Sequence, residues 1–254
     1  MKKKMEERQP YRKMASTCPT RSVREKRITW NKIDSEPFFN DRFQVKTLKR
    51  SLVDSAAELW CSAYPELYGS PHEFILDPYQ YEGLVALEET WEEDADTKVY
   101  CMPVVVELKT GKVVSATMLT KFEKNLQVEF SLAATLPDYR LKDLTDKLRR
   151  ATHTIAAHSG AEYFTTFCET WHDITQNWCI KGGWQIAGIF PGNFTRWNGK
   201  GEYRGCTVHF YRLAKTGEKY ATKPEEWRLA PEAKEVWDVL DRVNRRIANR
   251  FRNK

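Results

Sequence analysis

A chain of 254 residues with 41% hydrophobic and 13% aromatic content can bury a real core, and it has room for one large domain with appendages. No apolar run reaches the ~20 residues of a membrane span, and no apolar segment follows the basic start as a secretory signal requires. A formal net charge of +6 is spread unevenly, with basic residues crowding both ends and a nearly balanced middle.

Residues 1–40 read as a basic arm, disordered at first and then anchored by Trp30, Phe38 and Phe39. Its cations, and Arg242, Arg245, Arg246 and Arg250 near the other end, are either solvated or a candidate contact for nucleic acid. Residues 43–48 alternate as a first strand. Ser51 is a candidate N-cap for a helical stripe of Leu52, Ala56, Leu59, Trp60 and Ala63. Residues 64–81 (YPELYGSPHEFILDPYQY) are irregular, as binding loops often are. Residues 81–96 carry the pattern of a second helix ending in a solvated acidic run. Residues 99–108 and 112–122 are two strands around a Lys-Thr-Gly-Lys turn, and residues 127–135 continue the meander.

The stretch 127–160 organises the chain. Its first part is an apolar strand with one acid, Glu129, that stops before Pro137. Its second part has Leu141, Leu144, Leu148, Ala151 and Ile155 at helical spacing. Between them sits Leu136-Pro137-Asp138-Tyr139-Arg140. A strand that ends, turns and opens a helix points backbone N–H groups outward, which suits an anion. Residues 162–169 follow that helix as a parallel strand. A short helix over 172–181, Gly183-Trp184, an adaptable loop over 188–205 and a last strand over 206–213 complete the domain. Pro231 opens a final helix whose apolar face packs on the domain or on a second copy in a homodimer. Six cysteines without a CxxC pair suit reduced thiols in a cytoplasmic protein.

The strand, the Pro-x-Tyr-Arg turn and the helix resemble the acyl-CoA-binding centre of the GNAT N-acyltransferases. The order of elements from about Phe43 to Leu213 is similar to theirs. The resemblance implies an α/β fold: a mixed, mostly antiparallel central sheet with a splayed parallel strand pair, flanked by helices. It divides the chain into the arm (1–40), an acyltransferase domain (41–215) and a C-terminal helical extension (216–254). It implies acetyl-CoA or another acyl-CoA as co-substrate. Ala133, Ala134 and Thr135 would meet it along the splayed strand, Arg140, Leu141, Lys142, Asp143, Leu144 and Thr145 in the turn, and His172 beyond. Asp143 and Thr145 stand where the family has small residues, and glycine is what lets a backbone approach a ligand closely.

The same resemblance implies direct transfer to the amine of a small molecule in a ternary complex. Glu129 is the candidate base, with Glu169 second, and Cys179 falls where the family often has a general-acid tyrosine. A buried cysteine is otherwise a small apolar filler. Tyr64, Tyr68, His72, Phe194 and Arg196 are candidates for holding the acceptor, or else the aromatics among them pack their loops down. Two further readings stay open: a GNAT-like protein that modifies or binds nucleic acid, and a non-catalytic interaction module. No metal is expected, because His153 and His158 are five apart and miss the i, i+4 spacing.

Overall fold

In a computed structural model, residues 19–20, 27–140 and 142–252 are described. The predicted disorder of the arm's start, and any contact of Leu141 or of the Lys142 side chain, therefore lie outside the described residues. The described strands form one nine-stranded sheet. Its main path runs β1 (Phe43–Thr47), β4 (Pro103–Glu107), β5 (Lys112–Phe122), β6 (Gln127–Thr135), β7 (Tyr163–Glu169), β9 (Glu202–Leu213) and β8 (Gln185–Trp197). Two short strands, β2 (Val85–Ala86) and β3 (Tyr100–Cys101), attach through β5. On the main path only β6 and β7 run parallel.

Burial on both faces explains the apolar runs of the central strands. Helix α1 (Val53–Ala63) covers one face, packing Leu59 and Trp60 with Val104, Val106 and Met118. Helix α4 (Lys142–His158) covers the other, packing Leu144 and Leu148 with Val105 and Val114. Residues i and i+1 of each strand thus serve opposite cores.

Three predicted elements differ. Residues 81–96 are two short helices, α2 (Tyr81–Leu84) and α3 (Trp91–Asp94), interrupted by β2. The buried Val85-Ala86-Leu87 run wins that segment for the sheet, against helical periodicity. Ser51 caps nothing; the Glu89 carboxylate accepts from the Arg50 N–H instead, at 2.9 and 3.0 Å. The loop read over 188–205 is a long hairpin of β8 and β9 closed at Asn198–Gly201.

The predicted arm becomes core from Ile28 onward. Ile28 and Trp30 are buried, the Trp30 indole donates to the Lys98 carbonyl at 3.0 Å, and the buried Lys121 ammonium donates to the Ile28 carbonyl at 3.0 Å. Phe38 packs on Phe43, while Phe39 stays 41% exposed.

The C-terminal region adds α6 (Lys215–Tyr220) and α7 (Pro231–Arg252). Strand β8 is the sheet's edge, and an uncovered edge invites foreign strands. Helix α7 covers it with Asn244, whose amide accepts from the Ile186 N–H at 2.8 Å and donates to the Ile186 carbonyl at 2.9 Å. Replacing Asn244 with leucine strands both backbone groups without a protein partner. We expect a loss of about 1–3 kcal/mol, read from the urea midpoint at unchanged m-value.

Candidate active site

Strand β6 leaves its neighbours in a defined way. Against β5, Met118 pairs with Leu132 and Leu119 with Phe130, so Ser131 is a one-residue bulge. Against β7, pairing runs from Gln127↔Tyr163 to Phe130↔Thr166 and stops there. The bulge and the end of the parallel ladder coincide. Thr166 Oγ1 donates to the Phe130 carbonyl at 2.9 Å and closes the fork. Beyond it β7 continues with β9 alone. The fork opens into a cleft of about 810 Å³.

Of the residues singled out in the sequence, Tyr64, His72, Glu129, Ala133, Glu169, His172, Cys179, Phe194 and Arg196 line this one cleft. The rest lie elsewhere. Tyr68 is 64% exposed and outside the cleft. Leu144 is fully buried between α4 and the sheet, so its side chain belongs to the core. Asp143 lines a small hollow with Phe38, Phe39, Asp146, Lys147 and Arg150. Thr145 is exposed. The Ala134 carbonyl accepts from Ser115 Oγ at 2.9 Å, and Thr135 Oγ1 meets the same hydroxyl at 2.7 Å. Arg140 is exposed at the turn, its Nε 3.4 Å from the Thr135 carbonyl.

Glu129 sits one residue before the last rung of the fork. Burial raises its carboxyl pKa, against a hydrogen bond donated by Ser131 Oγ at 3.0 Å that lowers it. Ser131 Oγ also meets Thr120 Oγ1 at 2.6 Å, so the bulge residue orients the acid. Glu169 is different: it forms an ion pair with Arg196 at 2.8 Å, both largely buried. The Arg196 guanidinium lies 4.6 Å from the centre of the Phe194 ring. That ring lies over Gly205, where a Cβ would come within 2.1 Å of it, so glycine is required opposite Phe194.

Tyr64 bridges the two sides. Its ring stacks on Trp60, and its hydroxyl donates to the Ala133 carbonyl on the splayed part of β6 at 2.7 Å. Burial first, then the charges of Glu169 and Glu66, push its pKa up to about 12. His72 is held below the usual imidazole range by burial and by Arg196. Its Nδ1 is buried without a hydrogen-bond partner. Cys179 is buried, its Sγ 3.7 Å from Cys168 Sγ. The contact with Cys168 and burial both raise its pKa.

Sequence reading missed Ser131, Cys168 and Arg204, all of which line the cleft. Ser131 acts through a bulge, which one strand's sequence does not display. Arg204 was hidden in the segment read as loop.

No described family and no curated protein matches the sequence. Solved structures do match in three dimensions. A ribosomal-protein-S5-alanine acetyltransferase from Vibrio fischeri superposes with a TM-score of 0.55 at 10% identity, over 75% of this chain and 100% of that one. This chain has the GNAT fold. A probable GNAT-family acetyltransferase from Chromobacterium violaceum gives 0.50 at 13% identity, over 77% and 94%. An N-acetyltransferase from Staphylococcus aureus Mu50 gives 0.50 at 10%, over 67% and 98%. The mostly antiparallel sheet and the parallel β6–β7 fork expected from the sequence are present. Among the described residues, no cluster of three or more metal-ligating side chains occurs and no helix is long and apolar enough to cross a membrane.

Proposed function

We propose that this protein transfers an acyl group, acetyl in the simplest case, from acyl-CoA to an amine of a small molecule. One observation carries the reading: the GNAT fork opens at Ser131, and the half-buried carboxyl of Glu129 stands beside the opening inside the same cleft. The fork is also what fits the co-substrate. Its freed backbone would suit the amides of an extended arm, and the N–H groups at the start of α4 would be available to a pyrophosphate. Asp143 shares its hollow with Asp146 and with the cations Lys147 and Arg150.

The acyl-CoA supplies the activated thioester. The remaining work falls to side chains. Glu129, with its raised pKa, removes the proton of the acceptor ammonium, directly or through one water. Tyr64, protonated at all ordinary pH, donates a hydrogen bond to the departing sulfur. Cys179 makes a poor donor, because its thiol is buried against Cys168 and its pKa is raised. Glu169 is occupied by its ion pair with Arg196; together they wall the acceptor end with Phe194 and His72. A cytoplasmic location, possession of a second subunit and nucleic-acid contacts through the basic ends play no part in this reading.

Calorimetry with acetyl-CoA tests it. Saturable micromolar binding is expected, about −8 kcal/mol, weakened at least tenfold in Arg140→Glu. No binding by the wild type would end the acyl-transfer reading, and salt-dependent binding of DNA and RNA would then be measured.

A further inference from the structure

We infer that Cys168 and Cys179 form a dithiol site on the cleft wall that takes small peroxides and closes reversibly into a disulfide. Cys168 is next to the last residue of β7, and Cys179 lies in α5 (Ile174–Lys181). Their sulfurs are 3.7 Å apart, both residues are at most 3% exposed, and both line the cleft. The other described cysteines are placed otherwise: Cys101 is buried, Cys61 is exposed, and Cys206 accepts from the Gly192 N–H at 3.2 Å. A disulfide needs its sulfurs about 2.05 Å apart. The remaining approach of about 1.6 Å is within reach of side-chain rotation and a small shift of α5.

The chemistry balances with hydrogen peroxide as oxidant. The contact sets the two sulfurs up as an attacking thiolate, assigned to Cys168 at the end of β7, and a resolving thiol, Cys179 on α5. That thiolate attacks one peroxide oxygen and the O–O bond breaks. Cys168 becomes a sulfenic acid, and the departing hydroxide takes up the proton that the thiol released, leaving as water. Cys179 sulfur then attacks the Cys168 sulfur, the S–O bond breaks, and a second water leaves with the thiol proton. Two thiols and one peroxide give one disulfide and two waters.

The bridge would tie the end of β7 to α5 and fix the segment between them. That segment carries Trp171, His172, Thr175 and Trp178, all of which line the cleft. Oxidation would therefore reshape the cavity in which, on the reading above, acyl-CoA binds. Cleft-lining thiols are reachable by a molecule the size of peroxide and shielded from protein disulfides, which selects the oxidant class.

The test uses the full-length protein, treated with one to two equivalents of hydrogen peroxide, alkylated, digested without reductant and mapped by mass spectrometry. The expected product is a Cys168–Cys179 linked peptide pair, two hydrogens lighter than the free thiols and lost on dithiothreitol treatment. In Cys179→Ala, Cys168 should instead be trapped as sulfenic acid by dimedone. Recovery of both cysteines as alkylated thiols from oxidised wild type, with Cys61 consumed, would overturn the site. This mapping involves no CoA, so it stands or falls apart from the acyl-transfer reading. Where the reduced protein binds acetyl-CoA, the cross-linked form should bind at least fivefold more weakly and recover on reduction; unchanged affinity would overturn the coupling to the cleft.

Discussion

Glu129→Gln should lower kcat by about 10²–10⁴-fold while acetyl-CoA still binds as it does to the wild type. Glutamine keeps the side chain's size and can still accept from Ser131 Oγ, so the bulge and the fork survive the change. What disappears is the group that takes the ammonium proton. The pH profile identifies the residue. A base works only when ionised, so wild-type kcat/KM should rise with pH along a limb displaced above the usual carboxylate range, because burial raises the Glu129 pKa. The variant should lack that limb. Stability supplies a second check with a definite sign. A carboxyl whose folded pKa is raised binds its proton more tightly when folded than when unfolded. Its favourable contribution is complete below the unfolded pKa and is lost as pH climbs through the folded one. Wild type should therefore lose ground to Glu129→Gln across that interval in urea titrations. A variant within threefold of wild-type activity and with an intact limb would move the base to another cleft residue, His72 first.

How the fork became legible, and where legibility stopped, follows from the range of each signal. The Gln127–His158 stretch reads correctly because strand, proline turn and helix are local patterns, each set by residues within one or two turns of one another. Val85 and Ala86 read wrongly because their strand is stabilised by Tyr100 and Cys101 in β3, a pairing across the chain that helical periodicity cannot register. The 188–205 stretch looked like loop for its glycines and asparagines, yet Gly205 is a strand residue whose missing side chain makes room for Phe194. Nine of the singled-out residues share one cleft because strand ends and the loop after α1 converge there. The Glu169–Arg196 ion pair and the Cys168–Cys179 contact join residues 27 and 11 positions apart with no pattern linking them, and only the packed chain reveals them.

Tyr64→Phe should reduce kcat by roughly 10²-fold and leave the fold in place. The phenylalanine ring can keep its stack on Trp60, with centroids 6.0 Å apart in the wild type, so packing changes little. The lost group is one hydroxyl, which at rest donates to the Ala133 carbonyl on the splayed segment of β6. On the acyl-transfer reading, pairing of the co-substrate's arm with that segment would free the hydroxyl to donate to the departing sulfur. A phenol with its pKa pushed up to about 12 does not surrender its proton to a thiolate, whose reference value is about 8.5. It stabilises the leaving sulfur by a charge-assisted hydrogen bond, which strengthens only as the carbon–sulfur bond breaks. The loss should therefore fall on kcat and not on the KM for acetyl-CoA. The raised pKa also fixes the pH behaviour. Tyr64 stays protonated until the pH nears about 12, so it contributes no alkaline limb in an ordinary assay. The profiles of the wild type and of Tyr64→Phe should run parallel through the neutral and mildly alkaline range at a constant offset. Any limb in that range that vanishes with the hydroxyl would show Tyr64 titrating as a full proton donor, and would require its pKa to drop once the cleft is filled. Equal activity of the two proteins would take Tyr64 out of the chemistry and leave it the role of holding β6 open.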